Sequence, residues 1–384
     1  MALIRSGRGR DLRVDFFRGL ALWWIYTDHI PGDVLGDYSL RNFAMCDATE
    51  VFVLLAGFGA GVAYGSEMDR QGYLYAAADT VRRAWTLYIA HIFLFVVYTA
   101  QVAYSATALD RVFYLEETRL DVLADAPYRA LLEALLLRFQ PNLLNILPLY
   151  VVLLLIFALA LPLLRKPLLL LALSASVYAA VRITGINLPA WTGEGWFFNP
   201  LAWQLLFMTG AIMAYAPPRL PRLHWPIDIA AVLVLTAGLI VIWVIDNHPR
   251  ILASMPATVI RFVITEDKTG LHPFRLLSIL SLAWLTTRLV PTDAGWLRWR
   301  IAAPLELLGQ NSLPVFCSGI FLGFLARLGL EAHEGAGMQI AVNLFGALAM
   351  VAVGGLAAWY RGKGRVQAQR QPVILPAVAR TDTG

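Results

Sequence analysis

An arginine and a histidine stand eleven residues apart in the first apolar run, RVDFFRGLALWWIYTDHI, as Arg18 and His29. At about 3.6 residues per turn the interval is roughly three turns, which puts both on one helix face about 16 Å apart along the axis. Imidazole accepts and returns a proton near neutral pH, and guanidinium stays charged and pairs with anions. The pair suits a reaction in which His29 activates a hydroxyl near the outer end of a span while Arg18 neutralises an anionic donor nearer the inner end. Ionisable groups inside a span are costly and mark a functional site by default. A histidine that only hydrogen-bonds a neighbouring helix is the plainer alternative, and the aligned arginine weighs against it.

Neighbouring residues supply supporting chemistry. Asp15, three residues before Arg18, is expected to pair with the guanidinium and fix it, a structural role. Asp28 points about 100° away from His29 on a regular helix, so it suits the outer entrance rather than the ring itself. Asp47 and Glu50 sit at i and i+3 where the second apolar run begins, near the level of His29. One of them is expected to orient the imidazole and stabilise its charged form. Asp47 reads equally well as an acidic cap at a helix start. Arg41 and Asn42 could bind an anion or a carbohydrate hydroxyl. Trp191 could stack on a sugar ring or belong to an interfacial aromatic belt. Polar residues also precede the fourth run (Gln140, Asn142, Asn145), open the eighth (His272, Arg275) and interrupt the ninth (Gln310, Asn311), and helix capping accounts for most of them.

The elements that must carry these groups are membrane helices. The 384 residues are 59% hydrophobic and 15% charged, against about 25% charged in ordinary soluble domains. Ten apolar runs are long enough to be read as spans of the roughly 30 Å hydrocarbon core. They cover residues 16–30, 50–65, 85–104, 143–164, 167–181, 199–216, 227–245, 274–289, 304–326 and 339–359. The expected fold is an all-α polytopic bundle filling residues 1–360, followed by a short basic tail, 361–384, expected to be disordered. Of the 31 basic residues, 19 fall at the ends that share a side with the N-terminus, so both termini are expected in the cytoplasm.

This topology also accounts for the net charge of +5, and no nucleic-acid partner is expected. Two cysteines, Cys46 and Cys317, give neither a disulfide framework nor a metal spacing, and no metal is expected. The long segments 105–142 and 246–273 lie on the outer side, where an acceptor would be gripped. Residues 127–139 have the spacing of an amphipathic helix at a membrane surface, most simply a lid over the bundle. The rival class is a transporter of a small anion or lipid-linked sugar, with Arg18 as binding charge and His29 as proton relay.

The runs RDLRVDFFRGLALWWIYTDHIPG and LRNFAMCDATEVFVLLAGFGAGVAYG resemble the start of the OpgC family, osmoregulated periplasmic glucan succinyltransferases within a wider group of transmembrane acyltransferases. The resemblance continues in QPNLLNILPLYVVLL, FFNPLAWQLLFMTG, HPFRLLSILSLAWL and PLELLGQNSLPVFC, covering most of the chain from Arg10 to about Cys317. It implies a ten-span protein of the bacterial inner membrane, embedded in lipid. Such a protein moves succinyl or another short acyl group from cytoplasmic acyl-CoA to a hydroxyl of a periplasmic glucan. Arg18 and His29 match the arginine and histidine of the wider group. Asn145 stands where an Asp is expected, which removes an acidic role there. On this reading Arg18, Arg82 and Arg83 hold the CoA phosphates, His29 is the base, Asp47 or Glu50 orients it, and Gln310 or Asn311 stabilises the oxyanion. The outer substrate contacts are Asp28, Arg41, Asn42 and Trp191. The oligomeric state is left open.

Overall fold

A computed structural model describes residues 11–370 apart from 192, 218–223 and 257–266, and all regular structure among the described residues is helical. The first apolar run forms α1 (Leu12–Asp28). The second forms α2 (Ala48–Ala60), continued through a π-helical turn at Gly61–Gly65 into α3 (Ser66–Gln71). A long α4 (Tyr73–Ala108) returns across the bundle, and α5 (Phe113–Thr118), α6 (Val122–Asp125) and α7 (Pro127–Leu135) follow at its far end. Next come α8 (Ile146–Ala160), α9 (Pro167–Thr184), α10 (Pro200–Tyr215), α11 (Trp225–Asn247) and α12 (Pro249–Ser254). The C-terminal part holds α13 (Pro273–Leu289), α14 (Ala303–Gln310), α15 (Ser312–Ala332) and α16 (Ala336–Arg370).

All ten expected runs are helical, and seven helical stretches are long and apolar enough to cross a membrane. α10 is apolar but shorter, and α1 and α13 have 17 residues each. Three boundaries differ from the sequence expectation. α1 stops at Asp28, because Pro31 disfavours helix just before it and Gly32 (φ +78°) turns the chain. The run 304–326 is two helices, broken at Asn311, whose φ of −118° and ψ of 36° leave the helical region. The tail expected to be disordered is helical through Arg370, and 371–384 lie outside the described residues. The basic residues Arg5, Arg8, Arg10, Arg219, Arg222 and Arg380, counted above for orientation, also lie outside them.

Lipid chains are as apolar as leucine, so close packing and interhelical hydrogen bonds must hold these helices together. Gly19 of α1 and Gly309 of α14 make the closest approach. A methyl on Gly19 would lie 1.8 Å from the Leu305 carbonyl oxygen, and one on Gly309 1.8 Å from that of Asp15. Tyr26 Oη donates to the Val342 carbonyl at 2.9 Å, joining α1 to α16, and Gln204 donates to the Ser174 carbonyl at 2.8 Å, joining α10 to α9. Such bonds contribute about 0.6 kcal/mol each on average. Phe157 and Phe207 meet edge to face, ring centres 5.6 Å apart, where α8 crosses α10. Outward faces carry large apolar side chains, among them Phe93, Leu233 and Leu348, as contact with lipid requires. α7 is the amphipathic helix expected from the sequence, with Leu131, Leu132, Leu135 and Leu136 exposed.

Candidate active site

α1 crosses the bundle from the Arg18 level to the His29 level, and α2 runs back antiparallel beside it. Arg18 donates to the Leu55 carbonyl of α2 at 2.8 Å and lies 3.9 Å from Asp15 Oδ1, so the intrahelical ion pair expected from the sequence is present. At the other end His29 follows the last residue of α1 and its Nδ1 bonds the carbonyl oxygen of Ile25, one turn back. A carbonyl can only accept, so Nδ1 carries the hydrogen, and in the neutral ring Nε2 keeps its lone pair. The helix's own backbone thereby fixes both the tautomer and the ring.

His29 lines a cavity of about 660 Å³ at this end of the bundle. Asp28, Arg41 and Asp47 share its wall, together with Asn145, Lys268 and Arg327. Asp28 and Arg41 form an ion pair at 3.4 Å. Asn42 is not on this wall; it donates to the Gly36 carbonyl at 3.0 Å and closes the loop after α1. Arg18 does not line this cavity, consistent with the three helical turns that separate it from His29.

Asp47 caps α2. Its Oδ1 accepts from the Thr49 amide at 2.7 Å, while Glu50 Oε2 accepts from the Asp47 amide at 2.9 Å, a reciprocal capping box. Both carboxylates also bind Arg275. Its Nε lies 2.6 Å from Glu50 Oε1, and its Nη2 lies 2.9 Å from Glu50 Oε2 and 3.0 Å from Asp47 Oδ2. Lys268 Nζ adds a second cation 2.6 Å from Asp47 Oδ2. Two carboxylates thus face two cations, which is what makes a Glu50 with 0% exposure tolerable, since an uncompensated buried charge costs several kcal/mol. Burial pushes the Asp47 carboxyl up, but Lys268 and Arg275 outweigh it and hold the group well below the usual carboxylate range.

This geometry corrects the expected role of Glu50. No carboxylate sits at Nδ1 of His29, where the Ile25 carbonyl takes the bond, and Glu50 belongs to the Arg275 cluster, away from the cavity wall. Asp47 does reach the cavity, as a charge near the imidazole. The expected oxyanion role of Gln310 and Asn311 is also corrected. Gly309, beside them, packs on the backbone of Asp15, about 21 Å along α1 from the level of His29. There Arg361 of α16 donates to the Gln310 carbonyl at 3.1 Å and to Asn311 Oδ1 at 2.5 Å. Both residues tie helix ends together at the Arg18 end.

Trp191 stands edge to face on Phe139 (5.4 Å), with the Arg129 guanidinium 5.6 Å from its ring centre, and does not line the cavity. Arg82 and Arg83 lie on the first half of α4, which starts at the end of the bundle where α2 and α3 finish; Arg83 is within electrostatic reach of Tyr64, just past α2. Arg18, against Leu55 in the second half of α2, and Arg83, near Tyr64 just past its end, therefore lie toward the same end of the bundle.

The sequence reading missed two partners. Lys268 and Arg275 lie more than 200 residues from the carboxylates they bind, and only the positions of His272 and Arg275 at a helix start hinted at them. Arg327 of α15 makes a two-pronged contact with Glu117 at 2.9 and 2.7 Å and bonds Glu331 at 2.7 Å, building a second charged cluster on the cavity wall. No spacing links Glu117 to Arg327.

The fold and site together define an integral membrane protein, a helix bundle with a charged cavity at one end holding a histidine of fixed tautomer. The family model described as OpgC protein matches residues 10–362, and the chain belongs to the OpgC family. No curated protein and no solved structure matches the chain.

Proposed function

We propose that this protein is an O-acyltransferase of the bacterial inner membrane that moves a succinyl group from cytoplasmic acyl-CoA to a hydroxyl of a periplasmic glucan. Membership of the OpgC family supports the class of reaction. The observation that carries the residue assignment is the His29 ring, held by the Ile25 carbonyl so that Nε2 is the basic nitrogen, in the wall of a cavity large enough for a sugar and an acyl group.

The acceptor hydroxyl gives its proton to Nε2 as its oxygen attacks the thioester carbonyl carbon. The tetrahedral intermediate then expels the CoA sulfur, which takes the proton back from His29, leaving an ester and a thiol. Asp47 lies in the same cavity with Lys268 paired to it, so their charges largely offset each other at the imidazole. Glu50 acts one step removed by holding Arg275 and hence the start of α2. Arg18, with Arg82 and Arg83, neutralises the CoA phosphates at the other end. Asp28 and Arg41 meet the acceptor.

The test is mass spectrometry of a β-glucan incubated with the purified protein and either succinyl-CoA or acetyl-CoA. A succinate ester formed by the native protein and absent with His29→Ala supports the proposal. Glucan passage across a bilayer with no thioester cleavage would instead make the protein a transporter.

A further inference from the structure

Two uncharged side chains on the cavity wall carry a buried polar atom with no hydrogen-bond partner among the described residues. Tyr98, in α4, has 0% exposure and an unpaired hydroxyl, and Asn145, just before α8, has 8% exposure and an unpaired Oδ1. Asn145 occupies the cap position of α8, yet its side chain makes no capping bond. Buried polar atoms without partners cost about 1–3 kcal/mol each, so a pair of them on one wall calls for an explanation.

Both stand at the level of His29. Ile30, next to His29, lies 3.9 Å from the position of a methyl on Gly323, and the adjoining Phe324 packs edge to face on Tyr98 with ring centres 6.1 Å apart. Phe52 and Tyr150 meet at 6.5 Å, and each lies about five residues deeper than Asp47 and Asn145 respectively, so those two share a level as well. The oxyanion contacts expected from Gln310 and Asn311 are missing at this depth, because both residues lie at the opposite end of α1.

We propose that the Tyr98 hydroxyl and the Asn145 side-chain amide are the hydrogen-bond donors that receive the reacting acyl carbonyl oxygen. This rests on the acyltransfer reading above. As the acceptor oxygen bonds to the carbonyl carbon, the π pair moves onto the carbonyl oxygen, and the phenol O–H and amide N–H bond the resulting oxyanion. When the pair returns, the carbon–sulfur bond breaks. Neither group gains or loses a proton; the oxyanion takes the Tyr98 O–H and the Asn145 Nδ2–H, while the unpaired Asn145 Oδ1, an acceptor, is left to receive a hydroxyl of the sugar. Neutral donors held in place by the fold are well suited to this, since they need no reorganisation as charge develops.

The test compares Tyr98→Phe and Asn145→Leu with the native protein, reading kcat, KM for the acyl-CoA and thermal unfolding. Each variant should lose roughly 10²-fold in kcat with little change in KM. The melting temperature should hold or rise, because an unpaired polar atom is removed at nearly constant shape. Native kcat in both variants, or a loss that follows a lower melting temperature and the folded fraction, would make these groups structural and overturn the proposal. Absence of transfer by the native protein itself would instead defeat the acyltransferase reading.

Discussion

His29 gives its Nδ1 hydrogen to the carbonyl of Ile25, so the last turn of α1 positions the ring that the proposed chemistry uses. Many enzymes orient a histidine base with a carboxylate; here the backbone does it, and Asp47 across the cavity is paired with Lys268. His29→Gln should insert and fold, because a side-chain amide can still bond the same carbonyl, yet lose at least about 10²-fold in transfer rate. Steady-state turnover together with a thermal unfolding curve checks both halves.

Removing Arg275 strands Glu50 and leaves Asp47 with Lys268 alone. Arg275→Met should destabilise the protein by about 3–5 kcal/mol, because it leaves Glu50 buried without its cation. The double variant Arg275→Met/Glu50→Gln should recover much of that loss. Unfolding midpoints of the singles and the double form the cycle that measures it.

Gly19→Ala should cost about 1–3 kcal/mol, since the new methyl meets the Leu305 carbonyl and α14 must move off α1. Asn311→Ala should lower stability by freeing Arg361 while leaving kcat near native, because the site of transfer is about 21 Å away along α1. A large kcat loss at native stability would return Asn311 to the oxyanion role.

Acid should loosen the cavity end in two stages. Burial lowers the His272 pKa, with Arg182 adding to it, so the unfolded chain binds the proton more readily. Stability should therefore begin to fall as pH drops below about 6.5. Asp47 is shifted down as well, so its contribution is complete above about pH 4 and is lost as pH falls further. Unfolding midpoints across this range should show both, and His272→Asn should remove the earlier one alone.

The sequence revealed the parts of this account that depend on neighbours along the chain. Arg18 with Asp15, His29 at the end of the same helix, and Asp47 and Glu50 one turn apart all follow from helical spacing and apolar runs, whereas the break at Asn311 inside the run 304–326 did not. What it hid depends on which helices pair. Arg275 and Lys268 reach Asp47 across more than 200 residues, Arg327 reaches Glu117 across a similar gap, and Asn311 could be placed beside His29 only while the partner of α14 was unknown. Asn145 drew notice for lacking a carboxylate, whereas the structure draws attention to its unpaired amide.

The most direct test of the central claim uses sealed proteoliposomes with succinyl-CoA enclosed and β-glucan outside, reading thiol release inside and ester formation outside. The native protein should release thiol only when glucan is present and should acylate that glucan, and His29→Ala should do neither. Equal thiol release by His29→Ala, or glucan uptake with the thioester intact, would contradict the account.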